Sequence, residues 1–312
     1  MKDQNISRRR FIGSTALAAA GMALTSKSVF AASSLLQAKP NSVVNGVQIG
    51  VITYSFRSMP GTAENLLQYC LQCNINAIEL MGEPAEAFAG IPKREDGEDG
   101  PTHMKKVADW RASASMDKFK ELRKLYNDAG VKIYAWKPNA LNAKNTDAEI
   151  DYAFNAGKAL GVTHVTVELP TDDAQTKRLG EFAEKHKIYV GYHAHTQATP
   201  TLWDTALGQS KYNAINLDIG HYTAGTSSSP VPFIEKNHDR IVSMHFKDRK
   251  YHDGPNTPWG EGDTPLAEVF KLLKTNKYKF PATIELEYKI PDGSDAVKEV
   301  IKCREFAVKA LS

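Results

Sequence analysis

From Val47 onward, short β-branched or apolar runs alternate with longer amphipathic stretches. The strand-like runs are Gln48–Tyr54, Ala77–Met81, Val131–Trp136, His164–Glu168, Ile188–His193, Ala214–Asp218, Ile241–Lys247 and Ala282–Glu287. Apolar residues recur with helical spacing in Ala63–Cys73, Asp117–Asp128, Asp147–Leu160, Asp173–His186, Leu266–Thr275 and Asp295–Leu311. Gly130 and Gly161 stand where helix C-terminal glycines belong. Strands regularly interleaved with helices are parallel strands joined by crossovers. Eight of them in about 265 residues predict an α/β fold, a single-domain (β/α)8 TIM barrel over 47–312. An open doubly wound sheet is the alternative, but no GxGxxG follows the first strand. Two connections exceed what such a barrel needs and are expected to be loops over its mouth. These are Gly82–Ser115, with the charged run 94–100, and Asp248–Asp263, rich in Gly, Pro and Trp.

The first residues carry a different signal. Ser7-Arg8-Arg9-Arg10-Phe11-Ile12 is a twin-arginine pattern, and an apolar stretch from Ile12 to Leu24 follows, short for a bilayer span. Val29-Phe30-Ala31 has small residues where a signal peptidase reads, so 1–31 is expected to be a twin-arginine signal peptide cleaved after Ala31. Residues 32–46 are expected to be a linker. The mature chain is then expected in the periplasm or outside the cell, without stable membrane insertion after cleavage. Oligomeric state stays open.

Charge and cysteine change the picture little. The formal net charge is +3, but residues 1–31 hold five basic groups and one acid, leaving 34 basic and 35 acidic residues. A body this neutral is a poor match to a phosphate backbone, so no nucleic-acid partner is expected. Cys70, Cys73 and Cys303 form no second CxxC and read as buried apolar residues.

The ends of the strands carry the chemistry. Strand three ends in Trp136-Lys137, strand four in Glu168, and strand five in His193 and His195. Strand six ends in Asp218 with His221 beyond, strand seven in His245 and Lys247, and strand eight in Glu285 and Glu287. Side chains two apart share a face, so 193/195, 245/247 and 285/287 point together toward the barrel mouth. One such Asp is usually a helix cap and one such His a satisfied polar residue. Five successive strands ending this way point to one divalent ion held by carboxylate and imidazole ligands, of the Mn, Mg, Co or Zn class.

Together these motifs resemble the xylose-isomerase-like barrels, which include ketose 3-epimerases, hydroxypyruvate isomerase, inosose dehydratase and endonuclease IV. The resemblance runs from Val47 to the C-terminus. Asp218 and His221 match its LDxxH, implying a metal ligand and a substrate contact. His245, Lys247 and Asp248 match its HxKD, with the His as ligand, and Leu286–Lys289 match its LEYK, making Glu287 a ligand and a proton-transfer group. Gly260–Asp263 resembles its glycine-rich segment after strand seven. One departure matters: epimerases of the family carry a glutamate on strand five, where this chain has His193 in Tyr192-His193-Ala194-His195, a pattern closer to the inosose dehydratase branch. Glu168 is then the candidate for the missing carboxylate.

The expected function is a metal-dependent carbohydrate isomerase or epimerase that abstracts a proton next to a carbonyl. A keto-sugar lyase or dehydratase is the alternative, and a non-catalytic sugar-binding protein a further one. Expected metal ligands are Glu168, Asp218, His245 and Glu287, and expected catalytic groups are Glu168, Glu287 and His195. His193, His221, Lys247, Lys137 and Trp136 are expected to hold the sugar, Trp136 and Lys137 as a stacking wall, with a packed barrel rim the equal alternative for those two.

Overall fold

The computed structural model describes residues 39–312; the twin-arginine segment and residues 32–38 of the expected linker lie outside it. Eight parallel strands close into a barrel: β2 (Val47–Ile52), β3 (Ala77–Met81), β4 (Lys132–Lys137), β5 (His164–Glu168), β6 (Tyr189–His193), β7 (Asn213–Asp218), β8 (Ile241–Phe246) and β11 (Ala282–Ile284). Each pairs with its neighbours in turn, and β2 meets both β3 and β11, so no edge is left open. Residues 43–44, within the expected linker, form β1 (Val43–Val44), an antiparallel partner of β2 through a tight Asn45-Gly46 turn. Both turn residues have positive φ, 48° and 86°, which Asn and Gly tolerate.

The outward faces of the strands carry the apolar core. Ile49, Val51, Ile78, Leu80, Ile133, Val165, Val190, Ile215, Leu217, Met244, Phe246 and Ile284 are buried beneath the surrounding helices. The amphipathic helices form where their spacing predicts. Asp147–Leu160 opens with a capping box between Thr146 and Glu149 and ends on left-handed Gly161.

The Gly82–Ser115 connection differs from expectation: it folds as two helices, Gly82–Ala89 and Gly100–Ser113. Part of its acidic run serves as a cap, since Asp99 accepts from the Thr102 N–H at 2.8 Å. A buried guanidinium ties both helices to the barrel. Arg111 makes two bonds to Glu86, at 2.9 and 3.1 Å, and one to Glu149 at 3.2 Å. The connection after β8 stays a loop, with one small hairpin of β9 (Asp248–Arg249) and β10 (Asn256–Thr257). Among the described residues no helix is long and apolar enough to cross a membrane.

Candidate active site

The barrel interior is polar on several levels. Tyr134 bonds Thr283, and His164 lies 2.9 Å from both Thr163 Oγ1 and Ser243 Oγ. Burial lowers the His164 imidazole to about 4, so it is neutral near pH 7.

Nearer the mouth, His193, Asp218, His245 and Glu285 come together, each offering a donor atom within 4.8 Å of the others. All four are buried. Asp218 has two tasks, because its Oδ1 caps the helix Ile219–Thr226 by accepting the His221 N–H at 2.6 Å. That bond explains the LDxxH spacing and leaves Oδ2 to face the group. His193 Nδ1 is buried without a hydrogen-bond partner, and Asp218 Oδ2 meets the Lys247 ammonium at 3.0 Å. An orphaned buried ring nitrogen wants a ligand. Hard oxygen and imidazole donors with no thiolate suit a divalent ion, so the residues present fit the group that the sequence implies.

His245 lies between two carboxylates. Its Nε2 donates to Glu79 Oε2 at 2.8 Å and its Nδ1 to Glu285 Oε2 at 3.0 Å. Burial alone lowers an imidazole, but the charges of Glu285 and Glu79 prevail and raise His245 to about 10. Burial works the other way on Glu79, yet the His245 charge holds it at about 2. Burial pushes Asp218 up to about 7 against the pull of Lys247. His193 is driven well below the usual histidine range by burial and by the neighbouring charge of His245.

Lys247 brings an ammonium into this site. Its Nζ lies 3.0 Å from Asp218, 2.8 Å from Glu285 and 2.6 Å from Glu287, which together raise it despite burial. Gly220 permits this, since a Cβ there would sit 2.3 Å from Lys247 Cγ. His221 is flanked by two cations, with Lys247 Nζ 3.0 Å from its Nε2 and Arg249 Nη1 2.7 Å from its Nδ1. Burial, Lys247 and His195 together lower it to about 2, keeping it neutral.

The rim closes over this layer. Lys137 donates to Glu168 Oε1 at 2.6 Å, and Glu168 Oε2 lies 3.6 Å from His195 Nε2. The His195 and His221 rings are 4.6 Å apart. Glu168 and His195 are about half exposed, and the Glu287 side chain is 21% exposed. A cleft of about 460 Å³ opens beside Lys137 and Glu168, and one of about 410 Å³ beside Glu287. The loop after β8 is fastened by its own anion. Asp248 accepts the N–H groups of Gly260, Gly262 and Thr264 at 2.8, 2.9 and 3.2 Å. A Cβ on Gly262 would lie 2.0 Å from Asp248 Oδ1, so the glycine-rich segment is required for that closure.

Against the sequence expectations, Asp218 and His245 fall in the ligand-type group. Glu168 and Glu287 lie outside it, at the rim, and His193 and Glu285 take the remaining two places. His195, His221, Lys137 and Lys247 line the mouth with them. Trp136 corrects the reading of a stacking wall. It has 0% exposure and packs edge-on against Tyr152 and at a tilt against Phe119, because it points outward on β4 while Lys137 points in. Glu79 was missed. Its signal was a single charge inside the otherwise apolar strand Ala77–Met81, fully buried and held by Thr166 Oγ1 at 2.6 Å and Asn216 Nδ2 at 3.1 Å.

Several solved structures share this architecture. An uncharacterised protein of Parabacteroides distasonis is 22% identical with a TM-score of 0.58, covering 85% of this chain and 99% of that one. The probable 3-DHS dehydratase AsbF of Bacillus anthracis is 15% identical with a TM-score of 0.60, covering 82% and 98%. A sugar phosphate isomerase/epimerase of P. distasonis is 19% identical with a TM-score of 0.57, covering 87% and 98%. Identities this low speak for the fold alone. No curated protein matches the chain. The sequence model of one family, described as xylose isomerase-like TIM barrel, matches residues 67–305, the stretch that carries seven of the eight barrel strands and His193, Asp218, His245 and Glu285. The chain belongs to the xylose isomerase-like TIM barrel family.

Proposed function

We propose that this protein is a divalent-metal-dependent isomerase or epimerase of a sugar or sugar derivative, working by proton removal next to a carbonyl. The observation that carries this reading is the placement of the two rim carboxylates. Glu168 ends β5 and Glu287 follows β11, and these strands are four apart in either direction round the closed barrel. The two carboxylates therefore stand on opposite sides of the mouth, each lining a cleft, with His193, Asp218, His245 and Glu285 below them. Removing a proton from one face of a carbon and returning one to the other requires two such groups.

A divalent ion held by His193, Asp218, His245 and Glu285 supplies a Lewis acid for a carbonyl and its neighbouring hydroxyl. The chain's own residues do the rest. Glu287, bonded to Lys247, takes or gives a proton on one side. Glu168, oriented by Lys137, does so on the other. Neutral His221 and the Lys247 ammonium bind hydroxyl groups, and the fastened loop after β8 shields that side from water. The solved structures that share this fold include a sugar phosphate isomerase/epimerase and a probable 3-DHS dehydratase, and both reaction types are compatible with this reading.

Elimination is the second reading. It is favoured by His195, half exposed 3.6 Å from Glu168, which is placed to protonate a departing oxygen. Incubation with Mn²⁺ and a panel of keto-sugars in D₂O separates the two. The isomerase reading expects product of unchanged composition carrying solvent deuterium, with E287Q and E168Q each abolishing interconversion. An unsaturated product establishes the lyase. No turnover across the panel, with sugar still bound, establishes a binding protein. D218N and H245A should each lower bound metal sharply by elemental analysis, and full occupancy in both refutes the metal assignment. We also propose export through the twin-arginine pattern at 7–12, which places this activity in the periplasm or outside the cell.

A further inference from the structure

Glu79 sits at the centre of the barrel, outside the ligand-type group, and no part of the proposed reaction uses it. It is an anion with 0% exposure. Among the described residues no lysine or arginine lies within ion-pair distance of it, and His245 is its one chargeable partner, at 2.8 Å. Thr166 Oγ1 holds Oε1 at 2.6 Å and Asn216 Nδ2 holds Oε2 at 3.1 Å, so the carboxylate has one orientation. Burying an anion this deeply is costly, and the bond to His245 is the return on it.

We propose that Glu79 is a positioning residue for His245, acting on the ring nitrogen that faces away from the ligand group. The His245 ring has two sides. Nδ1 faces Glu285, itself one of the four, while Nε2 faces Glu79 on β3. A carboxylate fixed at Nε2 keeps the proton on that nitrogen and leaves Nδ1 as the donor atom toward His193, Asp218 and Glu285. It also stops the ring from turning over, which would present the wrong nitrogen. The carboxylate–imidazole–metal series is a general device for setting tautomer and raising ligand basicity, and losing the outer partner typically costs ~10–100-fold in metal affinity. This inference rests on the reading of the four residues as a divalent-ion site.

The test uses chelator-stripped full-length mature protein and Zn²⁺, with affinity measured by competition with a chromophoric chelator. Glu79→Gln preserves volume and an acceptor oxygen. It should weaken Zn²⁺ binding ~10–100-fold while the metal-free protein still unfolds cooperatively. Combined with His245→Ala, it should add no further loss beyond that of His245→Ala alone, because Glu79 acts through that ring. Affinity within twofold of wild type in Glu79→Gln, or an undiminished further loss in the double variant, overturns the proposal and leaves the metal reading standing. Nitrogen-15 spectra of His245 in the wild type decide the matter even if Glu79→Gln fails to fold. Zn²⁺ should displace the Nδ1 proton and leave the Nε2 proton in place, and Nε2 ligation overturns the proposal. Should the wild type bind no Zn²⁺, the metal reading falls by itself. The slowly exchanging Nε2 proton of the metal-free protein, present in wild type and shifted or lost in Glu79→Gln, then supports the positioning role, and an unaltered Nε2 resonance overturns it.

Discussion

Replacing Lys247 by Met removes the ammonium from among three carboxylates and keeps most of the aliphatic stem. The side chain is 2% exposed, and its Nζ lies 3.0, 2.8 and 2.6 Å from Asp218, Glu285 and Glu287. At an effective dielectric near 20, each contact is worth about 6 kcal/mol of attraction. Most of that offsets the cost of taking the charges out of water. What remains visible on breaking a buried pair is about 3–5 kcal/mol, because the carboxylates left behind have lost their counter-charge. For a domain of this size that corresponds to on the order of 6–10 °C in melting temperature. Thermal unfolding with chelator at pH 8 should show this loss, and it should shrink at pH 5, where protonation of the abandoned carboxylates relieves their repulsion. Added Mn²⁺ or Zn²⁺ should restore the variant more than the wild type, since ammonium and metal ion compete for Asp218 and Glu285. Divalent-ion affinity should rise by about tenfold or more on the same ground. A metal-free Lys247→Met protein as stable as wild type at pH 8, with unchanged ion affinity, would falsify this account of the site's electrostatics.

Three further outcomes are expected. The His164 imidazole is held neutral down to about pH 4, against a reference of about 6.5 in the unfolded chain, so its contribution is intact above pH 6.5 and is lost as pH falls toward 4. Urea titrations should show a loss of about 2–3 kcal/mol between pH 7.5 and 4.5 that is missing in His164→Gln, and equal acid sensitivity in both proteins counts against it. Asp248→Ala frees three backbone N–H groups of the loop after β8, so limited proteolysis should cut within 250–263 faster than in wild type, and an unchanged cleavage pattern rejects the fastening role. The doubly substituted Arg8→Lys/Arg9→Lys chain should stay in the cytoplasm uncleaved, and its normal arrival in the periplasm refutes twin-arginine export.

The strands were legible because each is a short apolar run between capped amphipathic helices, and seven of the eight match to within two residues at either end. The final strand is shorter than its pattern, since pairing stops at Ile284 while the alternation continues to Glu287. The helix Gly100–Ser113 was read as loop for a physical reason. Its one buried side chain is Arg111, so it has no buried apolar stripe to detect, and it docks through an ion pair with Glu86 and Glu149. Trp136 was misplaced because aromatic character suggests a sugar wall, whereas the alternation that sends Lys137 inward sends its neighbour outward.

Alternation along a strand tells which side chains enter the barrel and says nothing of their depth. Glu285 and Glu287 share a face, and so do His193 and His195, and in each pair one member is buried in the ligand-type group while the other reaches the rim. Depth is set by register between strands. Thr283 on β11 stands beside His245, which stands beside Asp218, so the residue two beyond Thr283 is the one that closes on the His245 ring. On the opposite wall, Glu168 stands beside His193 at the last pairing of β5 with β6, and its longer side chain turns up to Lys137 at the rim. Register in a parallel sheet depends on how the crossover helices seat against the barrel, a property of the whole circuit. One chain read by itself therefore gives the composition of the site and the face of each residue. The division between a buried ligand layer and a proton-handling rim appears only once the barrel closes.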